Sequence, residues 1–200
     1  MNEVHAKDKF GAKLGMWLFL FTELLLFSGL FILYAVYFAR EPESFATAAR
    51  ELNTFLGAAN TAVLLTSSLC VALATTAIQR GNRTLTLALL AGTIGTALLF
   101  LFNKYLEWTA KFAHGIYPNA PTVKALPPGE QVFYSLYFII TGLHGVHVLV
   151  GLGLFLYVLT CVRDGKVHAE DYGLLENAGL YWHLVDLIWI FIFPLFYLIL

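Results

Sequence analysis

The chain has 200 residues, 59% of them hydrophobic and only 12% charged, with a formal net charge of -1 at pH 7. That composition lies outside the range of soluble domains and inside that of polytopic membrane proteins, and a near-neutral balance gives no basis for nucleic-acid binding. The two cysteines, Cys70 and Cys161, stand apart without C-x-x-C spacing and do not report on redox compartment.

The N-terminal segment MNEVHAKDKFGAK puts lysines ahead of an apolar run, as a secretory signal does. That run continues for about 25 residues, beyond the roughly 7–15 of a signal's apolar region, so it reads as a retained first helix. A helix crosses the hydrocarbon region with about 20 apolar residues. Five stretches meet that need: Leu14–Phe38, Phe55–Ile78, Leu85–Phe102 (its helix continuing to residue 108), Val132–Val162 and Ala178–Leu200. No strand-like alternation is present, so the spans are helices with their backbone bonds made internally. The expected fold is all-α, one transmembrane domain of five helices over residues 1–200. The only roomy loop, 109–130, holds prolines and glycines that suit an ordered, irregular cap.

Lys7, Lys9, Lys13, Arg80, Arg83, Arg163 and Lys166 fall on one side of these spans, and Arg40, Arg50, Lys104, Lys111 and Lys124 on the other. The excess on the first side, in shorter segments, places the N-terminus inside and the C-terminus outside.

Ionisable residues at membrane depth are costly and face a bundle interior or an aqueous cavity. Glu23 lies near the middle of the first span, and His144 and His147 sit mid-way along the fourth in TGLHGVHVLVG. Glu176, His183 and Asp186 fall on one face of the fifth, at the spacing of helical turns. Glu107, flanked by Lys104 and Trp108, suits an interfacial ion pair with an aromatic belt.

Three readings of these groups remain open on spacing alone. A di-iron site would need Glu-x-x-His, but Leu26, Ala110 and Gly179 follow Glu23, Glu107 and Glu176 at that distance. Two histidines, His144 or His147 with His183, could ligate a haem. Glu23, His144, His147, His183 and Asp186 could relay protons. Or the groups are structural, a His183–Asp186 pair satisfying itself locally and small residues Gly142, Gly145, Gly151 and Gly153 letting helices come close.

The strings FYSLYFIITGLHGVHVLVGLG and ENAGLYWHLVDLIWIFIFPLFYLI resemble the two hallmark helices of subunit III of the haem–copper oxidases, the cytochrome c and quinol oxidase family. GMWLFLFTELLLFSGLF, NTAVLLTSS and NKYLEW resemble its glutamate-bearing helix and the two after it, so the likeness runs the length of the chain. The resemblance is to the short bacterial form lacking two N-terminal helices, with Lys104 standing where Gln is frequent.

The resemblance implies a non-catalytic subunit of a bacterial terminal oxidase in the cytoplasmic membrane, stabilising the complex and supporting proton uptake. Haem and copper are expected in the catalytic partner, subunit I, with subunit II also present; no catalytic residue, cofactor or metal is expected on this chain, while bound phospholipid is compatible with it. The resemblance matches the family's intramembrane glutamate to Glu23, its histidine pair to His144 and His147, and its closing helix to Glu176, His183 and Asp186. It implies a polar cluster of His183 and Asp186 joining the fourth and fifth helices. Glu23 is expected to face the bundle or partner helices across a surface of Phe19, Leu20, Leu26 and Phe27. Rival readings are an accessory subunit of a nitric oxide reductase and a stand-alone proton-conducting or haem-binding membrane protein.

Overall fold

A computed structural model describes residues 9–199; Lys7 and Leu200 of the expectations above lie outside them. Seven helices follow in order: α1 (Lys9–Arg40), α2 (Pro42–Arg50), α3 (Thr54–Gln79), α4 (Arg83–Ala113), α5 (Pro121–Lys124), α6 (Pro128–Arg163) and α7 (Gly173–Tyr197). Five of them, α1, α3, α4, α6 and α7, are long and apolar enough to cross a membrane. The fold is the all-helical bundle the composition demands. The starts and stops are local chemistry. Asn53 and Asn82 accept the orphan N–H groups of Leu56 and Leu85 at the heads of α3 and α4. Pro42, Pro121 and Pro128 open their helices, where a missing N–H costs nothing. α3 stops at Gly81, whose φ of 71° lets Asn82 N–H fold back onto Ala77 O at 2.9 Å.

α3, α4, α6 and α7 form a ring in which each helix packs against two neighbours, and α1 lies outside it along the α6–α7 seam. Large rings fill the interior: Trp182, Trp189, Phe100, Phe155 and Tyr137 are fully buried. Leucines such as Leu65, Leu69, Leu98 and Leu99 point outward, the inverse of a soluble protein and the arrangement a lipid surroundings requires. α1 is the least enclosed span. The amphipathic α2 tucks Phe45, Ala48 and Ala49 under the end where α3 begins and α7 finishes.

Several expectations need correction. α4 does not end near residue 102 or 108 but runs to Ala113, so Lys104 and Lys111, counted above as end-of-span and loop charges, lie inside a helix and are buried. α7 begins at Gly173 and stops at Tyr197. Of the four glycines expected to let helices come close, a Cβ on Gly151 would sit 2.5 Å from the Trp182 ring and one on Gly142 3.1 Å from Trp108, whereas Gly145 and Gly153 face open space. The two tight ones among these four admit an indole, not a neighbouring backbone.

Candidate functional site

The ionisable residues singled out by the sequence separate into distinct groups. At the α7 C-terminal end of the ring, Lys104 Nζ donates to Glu107 Oε2 at 2.9 Å, to Tyr137 Oη at 3.1 Å and to Tyr197 Oη at 3.0 Å. Both phenols donate to Glu107 Oε1, at 2.8 and 2.6 Å. Three ammonium donors, two hydroxyls and one carboxylate thus close on themselves across α4, α6 and α7. The expected interfacial ion pair is a buried one, with side chains 9% and 4% exposed, because tyrosines from two other helices cover it. A buried pair persists when such added bonds satisfy its remaining donors and lone pairs.

Glu23 meets His147 where α1 crosses α6. His147 Nε2 and Glu23 Oε2 are 2.9 Å apart, and His147 Nδ1 lies 2.8 Å from Leu143 O. A carbonyl can only accept, so Nδ1 carries a hydrogen. The Nε2–Oε2 contact therefore shares a single proton, as imidazolium with carboxylate or imidazole with carboxylic acid. The Phe27 ring stands edge-on to the imidazole at 5.2 Å, and Tyr181 donates to His147 O at 3.0 Å. Glu23 thus faces the chain's own bundle. The five-residue surface expected around it is divided: Leu20 and Phe27 are buried on one flank, while Phe19 and Leu26 stay exposed on the other.

His183 does not pair with Asp186, nor does it join the fourth and fifth spans. Its Nδ1 lies 2.7 Å from Ser68 Oγ on α3. Trp182 beside it donates to Ser67 Oγ at 3.0 Å, and Trp189 to Thr61 Oγ1 at 3.0 Å. The fifth span is therefore stitched to the second, because α7 lies between α3 and α6 in the ring and this face turns to α3. The α6–α7 link is made by Tyr181. Asp186 is buried with neither oxygen in a well-formed hydrogen bond, the Ser68 hydroxyl standing nearest, and Glu176, expected on the same face, reaches out to Lys13 of α1 at 2.7 Å. His144 is fully buried between Phe100 and Trp189, with ring centroids 5.5 and 5.2 Å away, and both its nitrogens lack a partner.

Two of the sharper readings lose members in this geometry. His147 commits both ring nitrogens, to Glu23 and Leu143, which removes it as a haem ligand, and His183 commits one of its two to Ser68. Among the described residues, no three His, Cys, Asp or Glu side chains gather as a metal site. Nor do the five relay candidates form one hydrogen-bonded chain: only Glu23 and His147 touch. Spacing could not reveal Tyr137, Tyr197, Tyr181, Ser67 and Ser68 as partners, since they are uncharged and lie on other helices. The serine pair of NTAVLLTSS, polar in an otherwise apolar span, is the available signal.

Comparison with known proteins bears on what such a bundle belongs to. A model of the family described as cytochrome c oxidase subunit III matches residues 3–199. The chain belongs to the cytochrome c oxidase subunit III family. Among similar proteins, cytochrome c oxidase subunit 3 of Petromyzon marinus is 34% identical over 92% of this chain and 67% of its own length. The protein of the same name in Thermostichus vulcanus is 29% identical over 93% of this chain and 86% of its own length. The heme-copper oxidase subunit I+III of Aeropyrum pernix is 30% identical over 96% of this chain, which spans only 23% of that relative's length. Within this subunit III family member, the intramembrane carboxylates and histidines are spent on helix-to-helix links, Asp186 and His144 excepted.

Proposed function

We propose that this chain is the non-catalytic subunit III of a bacterial haem–copper terminal oxidase, an accessory of a complex that reduces oxygen and moves protons across the cytoplasmic membrane. The observation that carries the reading is the family match across nearly the whole chain. A relative named as subunit I and III together supports subunit I as the direct partner, and the reading puts the haems and copper in that partner, with subunit II beside it. The chain's own contribution is packing, protonatable groups and a surface for lipid. The spending of Lys104, Glu107, Glu23, His147 and His183 on tertiary bonds supports a companion over a redox carrier.

The N-terminus lies in the cytoplasm on this reading. Lys13, Arg80, Arg83, Arg163 and Lys166 all belong to one end of the bundle, where Arg83 donates to Arg163 O. At the other end Lys104 and Lys111 are turned inward, Lys111 onto Glu51 O at 2.8 Å, so the free basic excess on the first side is larger than the sequence count suggests. The test is purification in a mild detergent with identification of co-migrating chains. A haem–copper subunit I in equal amount is expected; a nitric oxide reductase subunit, or no partner, would overturn the reading.

A further inference from the structure

Among the described residues, buried polar atoms without a hydrogen-bond partner include Nδ2 of Asn60 and both ring nitrogens of His144, and the buried Asp186 carboxyl has only the Ser68 hydroxyl near it, which leaves at least one of its oxygens unmet. The three residues come from α3, α6 and α7 and are 0%, 0% and 3% exposed. Asp186 stands one turn from both Trp182 and Trp189 on the α7 face whose indoles donate to Ser67 and Thr61 of α3. His144 packs on Trp189 and Phe100 and lies within electrostatic reach of Lys104. Asn60 adjoins Thr61 and already accepts from Asn103 Nδ2 at 2.8 Å.

Burial of such groups without hydrogen bonds is strongly unfavourable, and lipid outside the ring offers none. An apolar occupant would leave these atoms unmet. A metal ion would need its donors gathered at one point, and the described residues form no cluster of three His, Cys, Asp or Glu side chains. Water fits: it donates to the carboxyl and to an imidazole lone pair and accepts from the amide and the imidazole N–H, making about three bonds per molecule in protein interiors.

We propose that the interior of the α3–α4–α6–α7 ring is a water-binding site, in which ordered water molecules bond Asn60, His144 and Asp186. On this proposal water enters from the α7 C-terminal end, where a cavity of about 370 Å³, lined by Glu51, Asn53, Lys111 and His114 among others, reaches Glu107. This hydration goes beyond the oxidase reading and does not depend on it.

The test is water-edited solid-state NMR of the full chain in lipid bilayers with its retained partners, labelled with ¹⁵N-histidine and ¹³C-aspartate. Polarisation from water is expected to reach the His144 ring nitrogens as fast as those of exposed His114, the His144 signal being identified by its loss in His144→Phe. The Asp186 carboxyl should respond likewise. Absence of transfer to both residues would overturn the proposal. Should His144→Phe fail to fold, a density map of the complex decides: water within hydrogen-bond distance of His144 and Asp186 supports the site, and direct protein partners or dry contacts on both refute it.

Discussion

Glu23 is held by one proton shared with His147, and that bond is the polar fastening of α1, the least enclosed span, to α6. Hydrogen bonds between membrane helices average about 0.6 kcal/mol and reach about 1.7 in double-mutant cycles. Glu23→Leu and His147→Phe should therefore couple by about that amount in unfolding from mixed micelles; strictly additive losses would show the contact to be idle. His183 invites a parallel cycle. His183→Ala and Ser68→Ala should each destabilise by a similar amount, and their double variant should cost little more than either. Pairing His183→Ala instead with Tyr181→Phe, whose hydroxyl serves α6, should give additive effects. At this scale the sequence was half legible. A histidine or carboxylate stands out inside a leucine-rich run because its burial has a large cost, so Glu23, His147 and His183 could be named. Their partners could not, because spacing along one helix reports neighbours three and four residues away, and the partners here lie 124 and 115 residues distant.

Between elements, the group of Lys104, Glu107, Tyr137 and Tyr197 is the tightest polar joint, uniting three helices near one end of the ring. Removing one member of a buried ion pair strands the other, at a cost of about 3–5 kcal/mol. Glu107→Leu is expected to lose about that much, whereas Lys104→Met with Glu107→Leu should lose markedly less, read by thermal unfolding of the chain in detergent. Equal losses in single and double variants would contradict the pairing. Gly151 makes the corresponding apolar prediction. Gly151→Ala drives a methyl into the Trp182 ring, and overpacking of this kind costs about 1–3 kcal/mol; Gly153→Ala, facing open space, should be nearly silent. The five apolar runs made the spans legible, since hydropathy alone dictates that helices cross. The length of α4 was not: Lys104, Glu107 and Lys111 read as the polar margin of a membrane, and only the tyrosines of α6 and α7 and the Glu51 carbonyl explain why three charged residues remain helical and buried.

The described residues form a ring of four helices with a fifth strapped to its α6–α7 side, apolar outside and with buried polar groups within. Its ionisable groups mostly hold helices together. The chain's place in an oxidase thus predicts a companion whose loss weakens the complex without emptying its redox centres. The most direct measurement is the reduced-minus-oxidised spectrum and sustained turnover of the assembled oxidase with and without this chain. The haem spectrum should be retained in the depleted complex while thermal stability or the duration of turnover falls. Disappearance of a haem band together with this chain, the remaining subunits being folded and assembled, would contradict the account.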